Sequence, residues 1–378
     1  MNILYITAYP LEYNTSGNVR NMSIIKGLVN NGHQVSTMSP YPTDTSLFSG
    51  KLIVFPFKQR YWLGSKEPAV NIQPTNGLLM WVKCKLYKLN NAISVYDRRS
   101  SYTKYVKDLN IDQQFDIIIS SSDPKSAHLF AEEYLKRDNN KGIRWIQYWG
   151  DPFTGDISNK HSFSEGKIRK EEKRLLGIAD KVIYVSPLTA EAMKVSYPEH
   201  SSKIAFLPIP YIESAKEEKR DTNKLVAYLG DYNSHNRNIL PFVEAVNRLG
   251  IETAIVGGSD LKIDGNDHLT VKGRMTGDEL KRITSQVGVY ICICNLYGTQ
   301  IPGKIYHYAN SPYPILIILD GENKELLRDY FASFDRFYLC DNTVDSIVEC
   351  LQIIRQENKS FVAPEKLSPS YLANEFVK

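Results

Sequence analysis

Residues 287–314 read VGVYICICNLYGTQIPGKIYHYANSPYP, and their interpretation decides the fold. The first nine, 287–295, form an apolar run of the kind that parallel sheets bury on both faces, so a central strand is expected there. Pro302 then sits where a helix would begin, because proline at a first helical position gives up only an N–H that had no partner. The backbone at Gln300 and Ile301 would present free N–H groups at the positive end of that helix, and Lys304 would add a cation one turn in. Strand, glycine-containing loop, helix and basic residue together describe a place for a phosphate or diphosphate. The same pattern also occurs in α/β proteins with no ligand, so the rest of the chain must weigh the two readings.

Working outward, the same rhythm occurs twice. Residues 2–8 are an apolar run bounded by Pro10, and a polar loop, EYNTSG at 12–17, follows. Val19, Met22, Ile25 and Leu28 then recur at helical spacing over 18–30, and a second strand starts at 33. This is a β–loop–α–β unit, for which a parallel sheet with right-handed crossovers is expected. The loop carries Gly17 alone, so the GxGxxG dinucleotide fingerprint is absent. Further strands are expected at 52–57, 115–121, 143–147, 181–186 and 203–207, with helices at 125–136 and 171–179. Residues 213–224, ESAKEEKRDTNK, are charged without apolar periodicity and read as a linker. After it, strands at 225–229, 252–256, 268–271 and 314–319 and a helix at 239–248 restart the pattern. Thr276 and Glu279 have the spacing of a capping box for a further helix.

Residues 58–107 depart from this rhythm. They hold ten basic side chains against Glu67 and Asp97, a balance of +8, with apolar residues at helical spacing from Leu78 to Tyr96. Two readings stand: an amphipathic segment resting on an anionic membrane surface, or a helix packed on its domain with a solvated lysine face.

Composition narrows the class. At 378 residues the chain has material for two or three domains, and 42% hydrophobic content supports a core in each. A net charge of +4 does not describe a nucleic-acid polycation, and no partner of that kind is expected. The 24 tyrosines suit amphipathic surfaces that touch sugars. Five sparse, unpatterned cysteines point to a reducing compartment, and Cys292 and Cys294 read as core. MNILYITAYP lacks a basic leader and no run reaches the ~20 apolar residues of a membrane span, so a cytoplasmic protein is expected, at the inner face of the membrane if the basic segment rests there. There is no Asp-x-Asp, His-x-x-x-His, Cys-x-x-Cys, Gly-x-Ser-x-Gly or Walker loop, so hydrolase, P-loop and zinc readings lose weight, and no metal site is expected.

Ligands of open parallel sheets bind at the carboxyl ends of strands. The loops expected there carry the chemistry. Asp151 follows a strand in YWGDPF, with Trp149 beside it; a turn or helix cap before Pro152 is the alternative reading of Asp151. Gly230 opens the loop to Arg237, whose guanidinium can fork onto a diphosphate or stand on the surface. Residues 272–275, with Arg274 and Met275, end a neighbouring strand and can meet a base. Arg237 and Lys304, with the backbone at Pro302, would place two cations and a dipole on one leaving group.

With these residues in view, the chain resembles the group-1, retaining glycosyltransferases of the GT-B type. The resemblance rests on NILYITAYP…SGNVRNMSIIKGLVNNGHQV, EEKRLLGIADKVIYVS, LVAYLGDYNSHNRNILPFVEAV, VKGRMTGDELKRI and GTQIPGKIYHYANSPYPIL, in that order over nearly the whole chain. It implies two Rossmann-like parallel-sheet domains facing across a cleft. Residues 1–212 would take the acceptor, 225–362 the nucleotide sugar, and 363–378 would cross back to the first domain. It also implies metal-independent transfer with retention, and no cofactor beyond the nucleotide-diphosphate sugar itself. Gly230, Arg274, Met275, Thr299, Gln300, Ile301, Pro302 and His307 fall on its donor-binding stretches, and Ser16, Gly17 and Trp149 on the acceptor side. The family's two glutamates, eight positions apart, correspond here to Thr299 and His307, and Gln300 is placed to serve the sugar instead. The expected activity is sugar transfer to a saccharide or lipid-linked saccharide in surface polysaccharide synthesis. A degenerate, non-catalytic glycan-binding partner and a nucleotide-sugar epimerase remain the alternatives.

Overall fold

The computed structural model describes residues 1–13, 15–44, 48, 52–57, 94–156, 164–213, 225–275, 277–357, 359 and 361–378. Residues 58–93 of the basic segment, 214–224 of the expected linker and Thr276 of the expected capping box lie outside them. The chain divides into two compact units, residues 1–208 with 369–378, and residues 209–368.

The first unit is built on seven parallel strands: β1 (Asn2–Ile6), β2 (Gln34–Ser39), β3 (Ile53–Pro56), β4 (Ile117–Ser121), β5 (Arg144–Trp149), β6 (Lys181–Tyr184) and β7 (Ile204–Phe206). They lie in the order β3-β2-β1-β4-β5-β6-β7. The order reverses direction between β1 and β4, whose registers pair Ile3 with Ile117 and Tyr5 with Ile119. The second unit has six: β8 (Leu225–Leu229), β9 (Thr253–Val256), β10 (Leu269–Lys272), β11 (Val287–Ile293), β12 (Ile315–Leu319) and β13 (Tyr338–Asp341). Their order is β10-β9-β8-β11-β12-β13, with the reversal between β8 and β11. A reversal of this kind opens a crevice at the carboxyl ends of the two strands that flank it.

Local chemistry sets the elements. All seven residues of β11 are buried, as its unbroken apolar run predicts. Helix α1 (Ser16–Asn30) starts two residues before its apolar spacing does, because the Thr15 hydroxyl caps it by accepting from the Asn18 N–H at 3.1 Å. Each unit has a core of its own. Leu4, Phe130 and Trp145 belong to the first, and Val226, Phe242, Ile291 and Leu351 to the second.

The last helix (Pro369–Val377) belongs to the first unit and packs on α1. The approach is so close that a Cβ on Gly27 would stand 2.1 Å from the Pro369 carbonyl oxygen. Asn31 donates to the Ser370 carbonyl and the Asn374 amide oxygen, both at 2.8 Å. At the helix's far end Arg144 donates to the Val377 carbonyl at 2.8 Å and Lys181 to the Glu375 carbonyl at 3.1 Å. Cations on the carbonyl end of a helix oppose its dipole favourably. Among the described residues no helix is long and apolar enough to cross a membrane.

Candidate functional site

In the second unit the polar residues converge on the carboxyl ends of β8, β9, β10 and β11. Asp231, two residues past β8, is the hub. Its carboxylate accepts the Gly258 N–H at 2.7 Å and the Arg274 Nε at 2.9 Å, and the second guanidinium nitrogen completes a fork. Its carbonyl accepts from Arg237 at 2.6 Å and from the Tyr228 hydroxyl at 2.9 Å. Arg237 also reaches the Asn295 side-chain oxygen at 3.1 Å, just beyond β11. The Lys304 ammonium donates to the carbonyl of Leu229, the last residue of β8. Arg237, Arg274 and Lys304 therefore share one neighbourhood with a single carboxylate.

Backbone fit allows the convergence. A Cβ on Gly257 would stand 1.8 Å from the Gly230 carbonyl oxygen, so the turns after β8 and β9 close only over a glycine. Burial works against charge on Asp231, yet Arg274 and the Gly258 N–H outweigh it and hold the carboxyl below the ordinary range. Lys304 is exposed as a residue, but burial around the ammonium presses its pKa below the usual lysine value despite nearby Asp231.

The expectation at Pro302 needs correction. The helix begins at Lys304, spans only Lys304–His307, and passes directly into a 3₁₀ turn at Tyr308–Asn310. Pro302 and Gly303 precede it, and a single turn offers no developed dipole. The side-chain cations, not a helix terminus, supply the positive field here. Ile301 is buried and serves the core; Met275, Thr299, Pro302 and His307 are half-buried around the same loops. Gln300 is 8% exposed, and neither its amide nitrogen nor its amide oxygen has a hydrogen-bond partner among the described residues. Gly230 begins the loop that Asp231 continues.

In the first unit a second cluster lies at the carboxyl ends of β4 and β5. The Lys125 ammonium, buried, pairs with Asp123 and lies 3.9 Å from Asp156. Arg20, also buried, reaches from α1 to the Ser122 carbonyl and the Ser121 hydroxyl. Gly17 backs onto Asp123, where a Cβ would lie 3.4 Å from its carbonyl oxygen, while Ser16 is exposed at the start of α1. Burial first, then the fields of Asp123 and Asp156, push the Asp151 carboxyl up to about 7, against the pull of Lys125 and Arg20. Burial and these two cations hold His128 well below its ordinary value, so its imidazole is neutral.

Trp149 is not an acceptor platform. It is 0% exposed, its ring 4.4 Å from that of His128, with its indole N–H given to Gln147. The residue is buried because β5 is still regular there and is covered on both faces.

Glu172 holds the loop beyond Asp151. Buried, it accepts the Phe153 N–H at 2.6 Å, the Thr154 N–H at 3.1 Å and the Tyr197 hydroxyl at 2.9 Å. Burial raises its pKa, opposed by these donors. Glu172→Ala leaves three donors unmet at roughly 1 kcal/mol or more each. An overall loss of about 3 kcal/mol is expected by denaturant unfolding, and Glu172→Gln, which keeps an acceptor oxygen, is expected to lose less.

Asp151 gives a pH prediction. Its folded pKa lies above the unfolded value, so between the two the folded state holds the extra proton and stability falls as pH rises toward 7. Asp151→Asn removes that loss. The variant is expected to melt higher than the parent at pH 8, with the gap closing toward pH 4; a gap independent of pH would contradict the assignment.

Sequence reasoning found the loops but missed Asp231, Arg20, Asp123, Lys125 and Asp156 as site members. The place of the three aspartates and Lys125 beyond strand ends was the available signal; Arg20 lies within α1, and which side chains turn inward was not readable.

No family model matches the chain, and no curated protein matches it. Among solved structures, it is similar to a putative UDP-N-acetylglucosamine 2-epimerase from Listeria monocytogenes, at 10% identity and a TM-score of 0.51, over 100% of this chain and 94% of that one. It is also similar to the glycotransferase of kitacinnamycin, at 13% identity and a TM-score of 0.46, over 99% and 95%. The calicheamicin glycosyltransferase CalG4 aligns at 11% identity and a TM-score of 0.43, over 99% and 94%. The first of these likenesses is one of fold: the chain has two Rossmann-like parallel-sheet domains, the GT-B architecture.

Proposed function

We propose that the protein is a glycosyltransferase that moves a sugar from a nucleotide-diphosphate sugar to a saccharide or lipid-linked saccharide. The observation that carries this reading is the meeting of Arg237, Arg274 and Lys304 at the strand reversal of the second unit. A leaving diphosphate gathers negative charge as the bond to the sugar breaks, and fixed cations at that point lower the barrier. The C1–O bond to phosphate breaks with its electron pair going to the diphosphate, while the acceptor oxygen bonds to C1 and loses its proton. We assign that proton to Asp151, whose pKa suits a base working near neutrality. The same proposal gives Ser16 and Gly17 to the acceptor, and Gln300, Thr299 and His307 to the donor. Retention, independence of metal, a role in surface polysaccharide synthesis and work at the inner membrane face follow from the resemblance and the basic segment, and belong to the same proposal.

The test incubates the protein with UDP-, GDP-, dTDP- and ADP-glucose and their N-acetylhexosamine counterparts, with and without a mixed saccharide acceptor. Release of nucleoside diphosphate that depends on acceptor is the expected result. Conversion of donor alone into its epimer would replace the reading with an isomerase, and binding of glycans without any nucleotide would make the chain a non-catalytic partner.

A further inference from the structure

Asp231 is an unusual residue to find among three cations meant for an anion. Its carboxylate takes the fork of Arg274 and the Gly258 N–H, the very donors a phosphate would use. Its carbonyl meanwhile fixes Arg237, and its charge acts on Lys304. The side chains gathered there carry three positive charges and one negative, leaving a balance of +2.

We propose that Asp231 sets the charge of the ligand this cradle holds, favouring a sugar-linked diphosphate over the free diphosphate that transfer leaves behind. The inference rests on the reading of this site as a nucleotide-sugar site. A diphosphate esterified at both ends carries two negative charges and matches the balance. Once the sugar departs, the terminal phosphate ionises a second time near pH 6 and the ligand approaches three. A fixed carboxylate beside the cradle repels that added charge, so the product leaves while the substrate is retained. Without Asp231 the balance would be +3, suited to the product.

The experiment is calorimetric titration of the full chain and its Asp231→Asn variant with UDP, GDP, dTDP and ADP, and with the glucose ester of each. Asparagine keeps an acceptor oxygen for the Gly258 N–H, and thermal unfolding checks that the fold is kept. For whichever base binds, the variant is expected to bind both ligands more tightly. The free diphosphate should gain about fourfold more than its ester, the effect of one unit charge at ~5 Å in a water-like dielectric. That difference should shrink in 0.5 M salt, since a purely structural role is not screened. Equal gains for both ligands, or weaker binding of either, would mean that the carboxylate only positions Arg274, and would overturn the proposal. If the parent binds none of these nucleotides, the reading of the site fails first, and the inference with it.

Discussion

Lys304→Ala is expected to lower turnover by about 10²–10³-fold, as loss of one preorganised donor to a developing anion does elsewhere, while thermal unfolding barely moves. The ammonium is fixed before any ligand arrives, because the Leu229 carbonyl already holds it at the end of β8. That geometry needs no rearrangement at the moment of bond breaking, which is why the effect should fall on kcat rather than on KM alone. The residue is exposed and its one-turn helix packs through Ile305 and Tyr306, so the fold does not depend on it. Lys304→Arg is expected to recover only part of the rate, since a planar fork does not reproduce a point charge. Undiminished turnover in Lys304→Ala would remove the lysine from the reaction.

The second large effect is structural. Gly257→Ala is expected to destabilise the second unit by about 3 kcal/mol or more, at the upper end for overpacking. The added carbon would sit 1.8 Å from the Gly230 carbonyl oxygen and 3.0 Å from the Asp231 nitrogen, both backbone atoms that cannot rotate away. Relief requires the turns after β8 and β9 to part, and Asp231 travels with them. Thermal unfolding should fall by roughly 6–12 °C, and nucleotide binding should be lost even at temperatures where the variant stays folded. Gly273→Ala is the control: nothing lies within 4 Å of its added carbon, so its stability should stay within about 0.5 kcal/mol of the parent. A Gly257→Ala variant as stable as the control would contradict the packing argument.

Much of the fold was legible because parallel strands buried on both faces leave unbroken apolar runs, as at β1 and β11. Helices were less legible where polar faces dominate. Helix 165–178 begins in EGKIRKEE, and only Ile168, Glu172, Leu175 and Leu176 of it are buried, so its first eight residues carried one apolar side chain and no periodicity. The helix 187–196 was unread although Ser186 and Pro187 mark its start, the serine accepting the Thr189 N–H. The site was legible as a set of loops. Arg237, Lys304 and Arg274 lie where those loops meet, but the helix start that the sequence added to Arg237 and Lys304 proves to be one turn long. Trp149 failed for another reason: it still belongs to β5, which is covered on both faces, so its nearness to Asp151 does not bring it to the surface. Asp231 carried only its place beyond a strand end, because a single aspartate after a glycine is an ordinary turn residue until the partner loops are placed around it.

The most direct measurement is a crystal structure of the chain with the tightest-binding nucleoside diphosphate. The account predicts phosphate oxygens within hydrogen-bond reach of Lys304 and of the Arg237 and Arg274 guanidinium groups, over the ends of β8 and β11. A nucleotide seated away from those three side chains would contradict it.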